Sequence, residues 1–331
     1  MQDHPSPHER ADSSALAALH PTATTPPRPL VRVSDLRFLL ARNPAQREPG
    51  TVDISGTRAQ TQLTGLPFHR WLLPDGSDWT LFYRLGQGYL LRFPGLADFE
   101  LDPSGSIMGC WCAPGTEEST VHHLYLNQVL PLALSRQGRL VVHASAVEIR
   151  EELAIAFVGM SGSGKSTLAG AFAQLAKPVV CDDGLVIEAS GDLVQVLPGD
   201  PSIRLWADSL AELIGPLAKQ GIQVQYTSKH RLLEDPSIPF CRHPASLTRM
   251  YFLGADRSGS IRMSTIPPPE ALVEIVKHSF LLDIQDHEEL ASHFRLASRL
   301  VREVGCFRLD YPRRFELLPE VCAAVLKHCE D

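Results

Sequence analysis

The 331-residue sequence is poor in the features that would commit it to a special environment. Its seven cysteines, at 110, 112, 181, 241, 306, 322 and 329, include no CxxC pair. Cys110-Trp111-Cys112 is too tightly spaced for a zinc knuckle, and an odd count predicts reduced thiols rather than a disulfide framework. No stretch of about eighteen apolar residues is present, which excludes a helical membrane span. The first 29 residues carry Asp3, His4, His8, Glu9 and Asp12 without an apolar core, so no secretory leader is expected and the expected location is cytoplasmic. There is no excess of positive charge either. Thirty-eight acidic residues against 31 Lys and Arg give a net charge of −7, which argues against nucleic acid as the main partner. With 44% hydrophobic and 21% charged residues, the chain has the make-up of a globular protein with room for two domains. A core of that size needs no metal or disulfide staple.

Three regions are expected. Residues 1–29, rich in Pro, Ser, Thr, Ala and His, cannot bury much apolar surface and are expected to be a disordered tail. Residues 30–120 read as a small β-rich accessory module. The run 79–85 is strand-like, Gly86-Gln87-Gly88 turns the chain, and 89–93 returns. Residues 98–102 alternate polar and apolar, and Pro103-Ser104-Gly105 precedes a further short strand at 106–108. No metal or nucleophile motif occurs in this module. Residues 121–331 are expected to form the second domain. Val121, Leu124, Val129 and Leu132 predict a helix over 121–137, with Pro131 as a kink and Gly138 as its stop. Residues 139–149 and 153–158 then read as two strands joined by the polar turn Arg150-Glu151-Glu152.

The second of these strands runs into Gly159-Met160-Ser161-Gly162-Ser163-Gly164-Lys165-Ser166, which fits the pattern GxxxxGK[ST] of a phosphate-binding P-loop. Such a loop curls its backbone N–H groups around phosphate oxygens, places a lysine on the outer phosphates and offers a hydroxyl to magnesium. The expected binding residues are Gly159, Ser161, Gly162, Ser163, Gly164, Lys165, Ser166 and Thr167, with ATP and Mg2+ as ligands. Context supports the match, because a helix over 167–175 would point its N-terminus at the anion. Transporter ATPases share the SGSGKST run, but the LSGGQ-type signature they place downstream is missing. Instead Val179-Val180-Cys181-Asp182-Asp183-Gly184 ends a short apolar strand in two carboxylates. One carboxylate beside a P-loop can hold magnesium, and a second can take the proton of an attacking hydroxyl. Read without the P-loop, Asp-Asp-Gly would be an ordinary turn.

A histidine-bearing strand, a turn, a strand, a P-loop, a helix and then Asp-Asp together resemble the HPr kinase/phosphorylase family, whose nucleotide-binding core is shared with phosphoenolpyruvate carboxykinase. The motifs lie between His143 and Asp183, with looser likeness through the C-terminal half. His143-Ala144-Ser145-Ala146-Val147, Asp182-Asp183 and Ile203-Arg204-Leu205-Trp206 are similar to the HPr-kinase-like proteins encoded beside peptide-modification genes, some of them serine kinases. The resemblance implies an α/β P-loop kinase domain behind the β-rich module. It implies Lys165 and the loop backbone on the phosphates, Ser166 and Asp183 on magnesium, and Asp182 as general base. It also implies His143 beside the transferring phosphate, where it can pair with the aspartates. The plain alternative for His143 is a satisfied core histidine. Members of the family form hexamers, so a homo-oligomer is compatible with it. The glycine-rich Asp-Val-Arg stretch of HPr kinases has no counterpart here, and the N-terminal module differs. HPr itself and the reverse phosphorylase reaction are therefore not expected.

Arg204, in a turn followed by an apolar strand, is either a stabiliser of transition-state charge or a surface salt-bridge residue. Lys229, His230 and Arg231 are expected in a solvated loop, and Arg313-Arg314 on the surface. Residues from 268 onward are expected to be mostly helical, over 270–280, 288–304 and 319–329. The expected function is transfer of the ATP γ-phosphoryl group to a hydroxyl, as in a serine of a peptide or protein. A small-molecule kinase and a non-catalytic nucleotide sensor are the two rivals.

Overall fold

The computed structural model describes residues 54–190, 193–215, 222–233, 235–254 and 259–330. The expected tail over 1–29 and the first part of the β-rich module lie outside them. The described residues form a mixed α/β protein with several sheets, and they divide between Thr116 and Glu117 into two compact units.

The first unit is a six-stranded sheet among the described residues. Its strands are β1 (Gly56–Thr57), β2 (His69–Leu72), β3 (Asp78–Leu85), β4 (Gly88–Phe93), β5 (Ala97–Leu101) and β6 (Ile107–Cys112). β2 to β6 form an antiparallel meander, and β1 adds to β6 in parallel. The β3–β4 hairpin turns at Gly86, whose φ of 61° lies in the left-handed region glycine enters at little cost. Arg92 and Asp98 lie opposite each other on β4 and β5 and make a two-point fork of 2.9 and 2.8 Å, buried on both sides.

The second unit opens with α1 (Glu118–Leu124), a π turn (Tyr125–Val129) and α2 (Leu130–Arg136). The helix expected at 121–137 thus starts earlier and is interrupted. Pro131 has no N–H for the carbonyl four residues back, and the π turn widens the helix just ahead of it. Val121, Leu124, Val129 and Leu132 are all fully buried.

The strands expected at 139–149 are two, not one. β7 (Leu140–Val142) ends and β8 (Ala144–Arg150) begins on either side of His143. The break occurs because the chain changes partners there: β7 pairs with β11 (Leu185–Ser190), whereas β8 pairs with β9 (Leu153–Val158) and β10 (Val179–Cys181). These join β12 (Leu193–Val196), β16 (Ala245–Leu253), β17 (Arg262–Thr265) and β18 (Gly305–Asp310) in a nine-stranded sheet among the described residues. β13 (Ser202–Leu205), β14 (Ile222–Val224) and β15 (Thr227–Leu233) make a separate three-stranded sheet.

The large sheet is covered on both faces, and β9 shows how. Ala154, Ala156 and Val158 point into one core with Ala271 and Ile275 of α5 (Pro268–Lys277) and Ala297 and Leu300 of α6 (His287–Glu303). Ile155 and Phe157 point into the other, with Leu168 and Phe172 of α3 (Lys165–Gln174) and Val321 and Val325 of α7 (Leu318–His328). A strand buried on both faces reads as an unbroken apolar run, and Leu-Ala-Ile-Ala-Phe-Val is one. α4 (Ala207–Leu213) completes the helices of this unit among the described residues.

The three helices expected after residue 268 are present as α5, α6 and α7, each within three residues of the expected bounds, and one strand between them was not expected. β18 lies between α6 and α7 and pairs in parallel with β16, from Arg249↔Gly305 to Leu253↔Leu309. Its partner lies more than fifty residues away, so the pairing leaves no local trace, and the six residues of Gly-Cys-Phe-Arg-Leu-Asp are too short to declare a period.

Candidate active site

β9 delivers the chain to the P-loop at the edge where α3 begins. Gly162 and Gly164 adopt φ of 79° and 95°, which bends the backbone back toward its own start. At Gly164 a Cβ would also lie 2.8 Å from both Arg313 Nη1 and Tyr311 Oη, so only glycine fits. Gly164 caps α3 without a side-chain hydrogen bond, leaving first-turn N–H groups to face an anion. The helix starts at Lys165, two residues ahead of the expected 167. Lys165 is buried, and its Nζ donates to Gly159 O at 2.8 Å and Met160 O at 3.1 Å. Burial pulls its ammonium down to about 8, against the opposing charges of Asp183 and Asp182. The Ser163 Oγ is buried with no hydrogen-bond partner among the described residues. A glycine cradle, a strapped lysine and an orphan hydroxyl together suit a bound polyphosphate.

Asp182 and Asp183 follow β10 and are drawn to different neighbours. Asp182 Oδ1 accepts from Ser166 Oγ at 2.9 Å and from Ser145 Oγ on β8. Its Oδ2 accepts from the Arg204 backbone N–H at 2.9 Å. Asp183 instead pairs with the Arg204 guanidinium, and His143 Nδ1 lies 3.1 Å from its backbone oxygen. Asp183 holds φ at 75°, a left-handed conformation that turns its side chain back toward β13. The two carboxyls are pushed apart in acidity. Burial, then the charge of Asp183, raises Asp182. Burial also works to raise Asp183, but the charge of Arg204 foremost outweighs it and holds the group ionised. Asp182 keeps some exposure, whereas Asp183 is buried.

The Nδ1 of His143 is 3.9 Å from the Asp183 carboxylate but closer to its carbonyl, so the ring engages the backbone before the side chain. Burial, then the charge of Lys165, lowers His143 to about 4. It is therefore neutral near pH 7, with Nδ1–H donating to the Asp183 carbonyl.

Arg204 is not a surface residue. It sits on β13 with its side chain 13% exposed, between Asp183 and His123. His123 on α1 accepts from Arg204 Nη1 at Nε2, 2.7 Å away, and its Nδ1 faces Tyr226 Oη at 2.5 Å. Burial, then Arg204, lowers His123 to about 3, so it too is neutral. A neutral ring that accepts at Nε2 carries its proton on Nδ1, which fixes the direction of the chain from Arg204 through His123 to Tyr226. The sequence gives no signal for His123 or Tyr226. His123 shares its helix with His122, and only the fold shows which of the two turns inward.

The loop expected at 229–231 is strand β15. Its pairing with β13 sets Arg231 opposite Arg204, and Arg231 is buried against Asp200 at 2.5 Å and Ser202 at 3.2 Å. Lys229 lies 5.6 Å from the Trp206 ring. The Arg313-Arg314 pair also divides. Arg314 pairs with exposed Glu316, whereas Arg313 donates to Ser163 O in the P-loop, to Tyr311 Oη and to Gly254 O at 2.9 Å. A cleft of about 480 Å³ opens beside the loop between Ser161, Gly164, Thr167, Trp206, Tyr311 and Arg313.

The site defines a class: a mixed α/β protein in which a P-loop-type turn joins a strand buried on both faces to a helix, opposite a pair of aspartates. No family model matches the chain, and no curated protein matches it in sequence. Among solved structures it is similar to the Hpr(Ser) kinase/phosphatase from Coxiella burnetii, at 11% identity and a TM-score of 0.29, over 58% of this chain and 99% of that one. No helix among the described residues is long and apolar enough to cross a membrane.

Proposed function

We propose that this chain is a magnesium-dependent kinase that transfers the γ-phosphoryl group of ATP to a hydroxyl, a serine of a peptide or protein being the preferred acceptor. One observation carries the reading: Ser166, next to Lys165 at the start of α3, donates to Asp182, which also accepts from the Arg204 backbone, while the Arg204 guanidinium pairs with Asp183. A structural P-loop mimic would have no need to gather two carboxylates and a guanidinium opposite the loop.

The residues divide the work as follows. The loop amides and Lys165 hold the phosphates, and the nucleoside lies in the cleft beside Trp206, Tyr311 and Arg313. Ser166 and Asp183 hold magnesium, which when bound offsets negative charge on the phosphates. Asp183, ionised and buried, suits a cation. Asp182, raised and partly exposed, suits proton transfer. The acceptor O–H gives its proton to Asp182 as its oxygen bonds to the γ-phosphorus, and the bond to the bridging oxygen breaks to release ADP. Arg204 offsets charge on the transferred group. The neutral His143 fixes the backbone of Asp183.

The hydrogen bond from Ser166 to Asp182 favours a second assignment, in which Asp182 holds the magnesium-binding hydroxyl in place and takes no proton. The experiment is a transfer assay with labelled ATP against a panel of serine peptides and a panel of metabolites. Label on peptides, dependent on magnesium and abolished by Lys165→Ala, supports the proposal. Label on metabolites alone removes the peptide acceptor, and label on neither panel removes the kinase.

A further inference from the structure

A second cluster of metal-binding side chains lies away from the P-loop. Glu148 is on β8, and Cys241 and His243 lie in the segment that precedes β16. One donor atom from each, a carboxylate oxygen, a sulfur and an imidazole nitrogen, lies within 4.8 Å of the other two. His243 Nε2 is 3.6 Å from Glu148 Oε1, and Cys241 Sγ is 3.8 Å from the same nitrogen. Bonds of about 2.3 Å to sulfur and about 2.0 Å to nitrogen or oxygen, at tetrahedral angles, place neighbouring donors roughly 3.3 to 3.6 Å apart. The two edges from His243 Nε2 come within a few tenths of an ångström of that spacing, and the third lies within 4.8 Å.

The surroundings fit the same purpose. The Glu152 backbone N–H donates to Glu148 Oε1 at 2.6 Å, which anchors the carboxylate. His243 Nδ1 lies 3.3 Å from the Pro244 carbonyl and 3.7 Å from Cys241 Sγ; with the ring proton on Nδ1 toward that carbonyl, Nε2 is the nitrogen left to bind an ion. Glu148 and Cys241 are buried, while the His243 side chain is half exposed and leaves a way in from solvent. The segment itself is held in register by Cys241 N donating to Val179 O at 2.9 Å, beside the bridge between Val179 and Phe240. The three donors are therefore positioned by the sheet.

We infer that Glu148, Cys241 and His243 form a binding site for a divalent transition ion of borderline softness, zinc foremost, with the fourth position open to water on the exposed side of His243. Mixed sulfur, nitrogen and oxygen donors select such an ion over magnesium or calcium. On binding, the Cys241 S–H proton leaves to solvent as the sulfur bonds to the ion. Because the thiol must lose its proton to bind, affinity rises with pH. The bound ion would clip the segment before β16 to β8. This inference is independent of the kinase reading.

The test uses the full chain, stripped with a chelator and kept in excess Mg2+ so that the P-loop site does not take up the probe. Titration with Co2+ alone should give one equivalent of binding, with near-ultraviolet thiolate charge transfer and visible tetrahedral bands that Zn2+ bleaches. Zn2+ should also raise the melting temperature. Cys241→Ser should lose the charge-transfer band, and His243→Ala should weaken binding at least tenfold. The half-exposed His243 makes the latter variant safe to fold, and its melt without metal checks this. Absence of the band in the natural chain, its survival in Cys241→Ser, or unchanged affinity in His243→Ala would each overturn the site.

Discussion

The hydroxyl of Ser166, at the first turn of α3, donates to Asp182 Oδ1 at 2.9 Å, joining the P-loop to the end of β10 across sixteen residues of sequence. The same carboxylate receives the backbone N–H of Arg204 from the three-stranded sheet. Asp182 is thus the point where the loop, the large sheet and the small sheet converge.

That convergence makes Asp182→Asn the most informative substitution. As general base, its loss should lower kcat by about 10²- to 10⁴-fold with magnesium and nucleotide affinity retained. Titration of Mg2+ at fixed ATP separates the two assignments. A rise in the magnesium requirement with kcat restored at saturation would make Asp182 the partner of Ser166 and not the base. Asp183→Asn should show the converse, a raised magnesium requirement together with a loosened Arg204.

Lys165→Ala should lower ATP affinity by roughly ten- to a hundredfold, the worth of about 1.5–3 kcal/mol for a charge-assisted hydrogen bond. The natural protein should show a related pH effect. Free Lys165 titrates at about 8, and a polyphosphate binds its protonated form better. ATP affinity measured by calorimetry should therefore hold steady below pH 8 and fall above it. Affinity flat to pH 9.5 would remove Lys165 from the phosphate site.

Arg313→Ala should weaken nucleotide binding without touching the acceptor side. The guanidinium ties Tyr311, Gly254 and the Ser163 carbonyl together at the mouth of the cleft. Its loss should raise the KM for ATP several-fold and leave the KM for the acceptor unchanged. An effect on the acceptor alone would place the nucleoside elsewhere.

Two neutral histidines set an acid limit on stability. His143 and His123 titrate at about 4 and about 3 in the folded protein, below the ordinary value of 6.5. The unfolded chain therefore binds more protons than the native state below pH 6.5. Their contribution is fully present above that pH and is lost as the pH falls toward 4, at up to about 1.4 kcal/mol per pH unit for each. Denaturant melts at pH 7, 6 and 5 should show the decline. His123→Gln, which keeps hydrogen-bonding groups but does not titrate, should flatten its slope.

The end of α3 offers a stabilising change. Lys177 N bonds to Phe172 O and Ala176 N to Ala173 O, the paired bonds of a Schellman cap, with Ala176 at φ 57° where glycine is preferred. Ala176→Gly should raise stability by about 0.5–1 kcal/mol, read as a higher denaturation midpoint at unchanged slope. A lower midpoint would show that the cap's alanine methyl is packed.

The sequence by itself determined the parts of this site that are local. The P-loop and its two flanks, the aspartate pair and the antiparallel meander over 78–112 depend on glycine conformation, on period and on spacing within about twenty residues, and these are written along the chain. The tertiary structure alone decided the rest. It broke the strand expected at 139–149 at His143, because β7 and β8 pair with different strands. It added β18 between two helices the sequence does show, because its partner is β16. It turned Arg231 and Arg313 inward from positions that read as surface, set Arg204 between Asp183 and His123, joined His123 to Tyr226, and brought Glu148 within reach of Cys241 and His243. Each of these depends on contacts between segments that only the packed sheets bring together, and no residue's own preference records them.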